Sequence, residues 1–577
     1  MNQKIAFITY ETPYAPCGGI AAVVKRLPVY LKNASQIDTI VITPFHHRIE
    51  KTSSLKVQKI GNVNVSYRGT EINVDILKYS ESIDWYFLKA SDKHFFAGYP
   101  NPYIINKTEA EFSSGIKEMS DILLRDSLFF GAAVAKALTV IKKDADWILL
   151  MQDWETATTV LSLTDKQDVK AKAFLTLHNS YDSSALSNEM LWEFGINPDK
   201  CRGPEGKFHA TVLERALLIV ERNVFTVSQQ FAFDLVEDIF QSKTMAPHLQ
   251  SILNPWGEKT RLVGIDNGPF GKLEISKNIF LQANKKNYKS LADWKKERRL
   301  QALELFKSFV HDEEKKVWGN LLEFKSEDEP WFVFAGRDDT RQKGYDVAVY
   351  AISEFLKIRN DAKFLFFPMP GDEGLEGLNF LKELAEQNSK NVLIFPFQWI
   401  EGYMAALQGA AYGVMPSLYE PFGMANEFYL NGTAGIGRAT GGLLQQIMPL
   451  KSVSSFSKAV QTRTARLGLI SSPATGLLYR EKDFDENHIN SVSEDWQKIN
   501  DAKYDRMGGE NNRVNERSKL FLFREMAKEL RLGIVDAISI YKENQDIYYQ
   551  MLVDGINHIN CSFSWNKTAQ EYIREIL

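Results

Sequence analysis

The chain has 577 residues, more than one hydrophobic core usually serves, so at least two domains are expected. Hydrophobic content of 44% and charged content of 25% are those of an ordinary globular protein, and a net charge of −4 gives no reason to expect nucleic acid or an anionic membrane as a partner. Three distant cysteines, Cys17, Cys201 and Cys561, form neither a disulfide framework nor zinc-ligand spacing, and no stretch approaches the roughly 18 apolar residues of a membrane span. The expected location is cytoplasmic.

In chain order, "KIAFITY" (4–10), "TIVITPF" (39–45), "WILLMQD" (147–153), "AKAFLTLHN" (171–179) and "VFTVS" (224–228) predict strands. Helical patterns such as "AAVVKRLPVYLK" and "LFFGAAVAKALTVIKK" separate several of them. A second block repeats the alternation with "WFVFAGR" (331–337), "AKFLFFPMP" (362–370), "NVLIFPF" (391–397) and "YGVMPS" (412–417). Its helices include "DVAVYAISEFLKI" and "LNFLKELAEQ". Continuous apolar strands alternating with helices imply parallel sheets covered on both faces, so the fold class is α/β with two doubly wound domains. Between the blocks, about 272–330 is Lys-rich, and "NKKNYKSLADWKKERR" predicts a solvated helix face. The last thirty or so residues predict amphipathic helix.

Ligands of open α/β sheets bind beyond the carboxyl ends of the strands, and the candidate motifs sit at such ends. "YAPCGGIAAVV" follows the first strand, where Gly18 and Gly19 suit close backbone approach to a phosphate or sugar, or merely a turn. "AGRDDTRQKG" follows the first strand of the second block; Arg337 as a fork and Lys343 as a point charge could converge on a diphosphate, or be surface cations. "PSLYEPFGMANE" leaves a buried strand with Glu420 fixed before Pro421 and Gly423, and "RATGGLL" adds a second glycine turn. As a lone histidine in an apolar run, His178 reads as structural; as an isolated Glu-Pro, Glu420 reads as a solvated turn.

Taken together, "GGIAAVV", "QDWETA", "TLHNS", "FTVS", "GIDNG", "GRDDTRQKG", "PSLYEPFGM", "RATGGL", "TGLLY" and "FSWNKTAQEY" follow the order seen in bacterial glycogen and starch synthases. The chain resembles this retaining glycosyltransferase superfamily from residue 5 to 572, with poor matches over 50–125 and 272–330. The step from Arg337 to Lys343 looks more like eukaryotic glycogen synthases. The resemblance implies two facing Rossmann-like domains of the GT-B type with an interdomain cleft: 1–270 on the acceptor side, 271–545 binding the nucleotide sugar, and 546–577 packing back on the first domain. It implies transfer of a hexose, glucose first, from an ADP- or UDP-sugar to a carbohydrate acceptor in α-linkage.

Residue by residue, the resemblance gives Arg337 and Lys343 the donor diphosphate, Glu420 the transferred sugar, and Gly423, Met424, Thr440, Gly441 and Gly442 the phosphate and sugar cradle. His178 and Asn179 fall at the sugar-contacting "TLHNS", Asp153 in an "HDWH"-like motif, and Asn267 in "NG-[IV]-D". The chain departs from the pattern at Pro16, Ala22, Gln152, Glu155 and Phe270, in place of lysine, aspartate, two histidines and an aspartate. Two further readings follow from those changes. One is a transferase using another sugar and a small or lipid-linked acceptor; the other is a silent glycan-binding relative. The triplets "DAD" (144–146) and "DFD" (483–485) follow no clear strand, and neither a metal nor another cofactor is expected.

Overall fold

The computed structural model describes residues 2–99, 101–103, 119–164, 168–180, 185–207, 209–311, 315–324, 328–339, 342–371, 374–469, 471–482, 489–500 and 513–577. The chain forms two compact units, one of Met1–Glu237, Met245–Gly268 and Ser564–Leu577, the other of Asp238–Thr244 and Pro269–Phe563.

In the first unit the strands are β1 (Gln3–Ile8), β2 (Asp38–Pro44), β3 (Gln58–Tyr67), β4 (Thr70–Ser80), β5 (Asp84–Ala90), β6 (Asp146–Gln152) and β7 (Lys170–Leu177), the short pair β8 (Ala185–Leu186) and β9 (Ala210–Thr211), then β10 (Val224–Thr226) and β11 (Leu262–Gly264). The main sheet runs β11-β10-β7-β6-β1-β2-β5-β4-β3 among the described residues. From β11 to β5 all neighbours are parallel, with Ile5 opposite both Thr39 and Ile148. The chain leaves β1 first to β2 and later to β6, so the order reverses between β1 and β6.

The antiparallel edge β5-β4-β3 lies within 50–125, one of the two stretches that carry none of the motifs quoted above for the resemblance. Arg68 and Gly69, at φ of 51° and 76°, make the two-residue turn between β3 and β4, the positive-φ geometry that matches strand twist.

The second unit adds β12 (Trp331–Arg337), β13 (Lys363–Met369), β14 (Val392–Ile394), β15 (Tyr412–Met415), β16 (Ala434–Arg438) and β17 (Gly476–Tyr479). They form a wholly parallel sheet in the order β14-β13-β12-β15-β16-β17. The reversal falls between β12 and β15. The apolar runs that predicted these strands are the buried ones: Trp331 through Phe334 and Phe364 through Phe366 are sealed from solvent.

Three expectations need correcting. The helix Lys289–Lys307 is not simply solvated on its basic side: Lys295 is buried, its ammonium donating to the Gly432 carbonyl at 2.7 Å and the Thr433 hydroxyl at 3.2 Å. Burial pushes this lysine well below its ordinary range.

The first unit ends at Gly268 rather than 270 and resumes at Ser564 rather than 546. The helix Gln545–Ser562 stays with the second unit because its apolar face packs there; the Tyr548 hydroxyl donates to the Ala411 carbonyl at 2.9 Å. Only the helix Trp565–Ile576 joins the first unit, where Thr568 donates to the Asp266 carbonyl at 2.7 Å and the Trp565 ring covers Gly268.

Candidate active site

In the second unit, Arg337, Lys343, Glu420, Gly423, Met424, Thr440, Gly441 and Gly442 all follow the carboxyl ends of β12, β15 and β16. These strands are adjacent at the point where the order reverses, the place where open parallel sheets bind ligands.

Arg337 ends β12 as its exposed residue. The chain turns at Asp339, whose carbonyl accepts from Lys343 N at 2.6 Å, and enters the helix Tyr345–Leu356 through Gly344. Gly344 has φ of 63°, and a β-carbon there would lie 2.3 Å from the Pro416 carbonyl oxygen. The position therefore demands glycine twice, by backbone conformation and by space.

Glu420 is not a solvated turn residue; it is only 5% exposed. Its carboxylate lies 2.7 Å from Lys343 Nζ and accepts from Ser417 Oγ at 2.9 Å. The Glu420 carbonyl accepts from Gly442 N at 3.0 Å, which joins the loop after β15 to the turn after β16. Gly441, at φ of 47°, passes so close that a β-carbon would sit 1.7 Å from that same carbonyl oxygen. Behind the loop, Gln446 donates to the Phe422 carbonyl at 2.6 Å and accepts from Asn426 N at 2.7 Å. Phe270, where a family aspartate was expected, donates its amide to the Asn426 side chain at 2.9 Å and packs edge-on against Phe422.

In the first unit, Gly18, Gly19, Asp153, His178, Asn179 and Asn267 follow β1, β6, β7 and β11, likewise at carboxyl ends. Asp153 has φ of 59°, a strained conformation for a non-glycine residue. In it the carboxylate accepts from His178 N at 2.6 Å and Asn179 N at 3.2 Å, fixing the turn that carries both.

Gln152, which stands where the resemblance expects a histidine, has a definite task. Its amide nitrogen donates to the Leu150 carbonyl at 3.2 Å, so its oxygen faces His178 Nε2 at 2.8 Å. Nε2 is then the protonated nitrogen and Nδ1 the acceptor. Burial pushes the imidazole down to about 3, so His178 is neutral near pH 7.

The Gly18 amide donates to the buried Glu11 carboxylate at 2.6 Å, and Ala21 N donates to the same oxygen at 3.1 Å. This turn is thus held by the protein's own anion. Asn267 is buried, its amide donating to the Val227 carbonyl at 3.2 Å. Of the two acidic triplets, "DAD" opens β6 at its amino end, away from the strand ends that carry these residues, and "DFD" lies outside the described residues. Among the described residues no group of three or more His, Cys, Asp or Glu side chains could hold a metal ion.

Residues 4–251 match the family described as the starch synthase catalytic domain. A glycogen synthase of Thermosipho africanus is 27% identical over 77% of this chain and 85% of its own length. One of Thermosipho melanesiensis is 24% identical over 99% of this chain and 98% of its own. By these matches the chain is similar to glycogen and starch synthases. The solved catalytic domain of starch synthase IV from Arabidopsis thaliana, bound to ADP and acarbose, shares its fold at a TM-score of 0.67. It is 16% identical over 100% of this chain and 98% of its own. The architecture is accordingly of the GT-B type. No helix among the described residues is long and apolar enough to cross a membrane.

Sequence reasoning missed three residues of these two strand-end clusters. Gln152 was read as a departure, yet it sets the His178 tautomer. Ser417 lay inside a quoted motif and its spacing to Glu420, one turn ahead, was the available signal. Arg438 opened the quoted "RATGGLL", but nothing local marks it as a buried arginine at the end of a strand.

Proposed function

We propose that the protein transfers glucose, with retention of configuration, from an ADP- or UDP-sugar to an α-glucan acceptor. The observation that supports this best is the Lys343–Glu420 pair at the β12/β15 reversal, with Arg337 on the same strand end. In this reading the bond between the sugar's anomeric carbon and the β-phosphate oxygen breaks, and the nucleoside diphosphate leaves with the electron pair. A bond from the acceptor hydroxyl oxygen to that carbon replaces it, and the hydroxyl proton passes to the departing diphosphate.

Arg337 and Lys343 supply fixed positive charge where negative charge develops on the diphosphate, so these side chains do the work a divalent ion would otherwise do. Glu420 accepts hydrogen bonds from sugar hydroxyls, and the backbone around Gly423, Met424, Thr440, Gly441 and Gly442 borders the phosphate and sugar. His178, neutral and with Nδ1 as an acceptor, serves a sugar hydroxyl as a hydrogen-bond partner rather than as a cation.

The test is a matrix of nucleotide sugars against glycogen, maltooligosaccharides and no acceptor, with and without EDTA. Nucleoside diphosphate should form only with a glucan present, the product should lengthen by α-linked glucose, and EDTA should leave the rate intact. Transfer to a small or lipid-linked acceptor alone would replace the glucan reading. Absence of release from every donor would leave only a glycan-binding protein, and loss of activity in EDTA restored by metal would reject the two-cation assignment.

A further inference from the structure

Arg438 ends β16 and is 1% exposed. Its guanidinium forms a two-point bridge to Glu481, with Nε 2.9 Å from one carboxylate oxygen and Nη2 on the other. Burial alone would raise Glu481, but Arg438 and then Arg480 outweigh it and hold the carboxyl down to about 2. The third arm of the guanidinium leaves this bridge. Nη1 donates to the Leu418 carbonyl at 2.5 Å.

The Leu418 peptide is held from its other side too, because its N–H donates to the Gln342 carbonyl at 2.7 Å. Gln342 precedes Lys343, and Leu418 lies two residues before Glu420. A single residue of the loop after β15 is therefore fixed between the loop after β12 and the end of β16. That placement sets the distance between the ammonium of Lys343 and the carboxylate of Glu420.

Stability alone is a poor reason for this arrangement. A buried ion pair is often no more stabilising than apolar side chains of equal volume, because both charges must be desolvated. What an apolar residue could not do is donate to Leu418. The guanidinium is also shielded, with the Trp496 ring 5.4 Å away, Phe240 stacked on Trp496 at 4.3 Å and Phe240 5.8 Å from Tyr419. Exclusion of water strengthens a hydrogen bond of this kind. Arg480 shares Glu481, with its Nε 3.0 Å from the oxygen that Arg438 Nη2 contacts, and donates to the Ala439 carbonyl and to Asp238, each at 3.0 Å, without reaching Leu418.

We propose that Arg438 is a positioning residue: through the Leu418 carbonyl it holds Glu420 in register with Lys343 for transfer. The proposal rests on the donor-site reading given above. Arg438→Lys keeps a cation beside Glu481 but has one nitrogen where three are needed, so it cannot serve both carboxylate oxygens and Leu418. A misplacement of about 1 Å at a reacting centre costs on the order of a hundredfold in rate. Arg438→Lys should therefore lose kcat by about tenfold to a hundredfold while the donor KM changes little. Amide hydrogen exchange over 416–424 should speed up, and the melting temperature should fall by only a few degrees. Asp238→Asn weakens the outer Arg480 bridge and should lower the melting temperature without changing kcat or exchange over 416–424.

If Arg438→Lys does not fold, Glu481→Gln decides, because it leaves Arg438 in place but unorients it; the same loss of kcat and of protection, in smaller degree, is expected. Wild-type kcat and exchange in the folded Arg438 or Glu481 variant would overturn the proposal, as would equal kcat losses in that variant and Asp238→Asn. If the unsubstituted protein transfers no sugar, the functional reading has failed; exchange over 416–424 then decides the positioning claim by itself.

Discussion

Lys343 Nζ lies 2.7 Å from the Glu420 carboxylate, so the cation assigned to the diphosphate and the carboxylate assigned to the sugar are partners of one another. Their side chains are 14% and 6% exposed, and Ser417 gives the carboxylate a second bond. In this state each charge neutralises the other. On the proposed reading a donor diphosphate would compete with Glu420 for Lys343, and the carboxylate oxygen so released would be the one a sugar hydroxyl needs. Neither residue can be altered without changing the other.

Glu420→Gln keeps the shape and the Ser417 contact but removes the charge facing Lys343. Transfer should fall by about 10²–10³, the scale for losing one preorganised electrostatic contact. Affinity for ADP or UDP should rise rather than fall, because Lys343 no longer has an internal anion to leave. Titration calorimetry beside turnover checks both signs.

Lys343→Ala and Arg337→Ala should each lose turnover by about 10²–10³ and weaken nucleoside diphosphate binding. They should differ in stability. Lys343→Ala leaves a buried carboxylate without its cation, a change that typically costs about 3–5 kcal/mol. Arg337 is exposed at its strand end, so its removal should hardly move the melting temperature. Paired melting curves measure that difference.

Gly441→Ala would place a β-carbon 1.7 Å from the Glu420 carbonyl oxygen, in a backbone conformation with φ of 47°. The turn after β16 must shift and carry Glu420 with it. Turnover should fall by about a hundredfold, the scale of a 1 Å displacement. Gly468→Ala, also at positive φ (68°) but with open space around its β-carbon, is the control and should keep full activity.

His178 is pushed down to about 3, so the unfolded chain binds a proton at this residue below its ordinary value near 6.5 while the folded chain does not. Its contribution therefore makes the fold less stable as pH drops from about 6.5 toward 3, and the loss is absent above 6.5. His178→Asn should flatten part of that slope. Buried His46, pushed down to about 4, supplies another part that the variant retains. Denaturant titrations between pH 4 and 8 separate the two.

Much of this was legible in the sequence because buried parallel strands are continuous apolar runs. "WFVFAGR" and "YGVMPS" located β12 and β15, and thereby the strand ends bearing Arg337 and Glu420. The β3–β5 edge was missed although part of it was legible. In "QKIGNVNVSY" Val63, Val65 and Tyr67 alternate with Asn64 and Ser66, the period-two pattern of a half-exposed antiparallel strand. A search for continuous apolar runs passes over it. Short β16 and β17 were hidden by their glycines. Within the site, glycines and charged residues announced themselves by spacing, but their mutual contacts did not. The burial of Glu420, the Glu11 cap on Gly18 and the double hold on the Leu418 peptide depend on residues brought together from distant parts of the chain.

The most direct test of the account is nucleoside diphosphate release from ADP-glucose and UDP-glucose in the presence of glycogen, measured per folded molecule for the unsubstituted protein and Glu420→Gln. The account predicts acceptor-dependent release by the former and a rate lower by about 10²–10³ in the latter. Equal rates in the two proteins would contradict it.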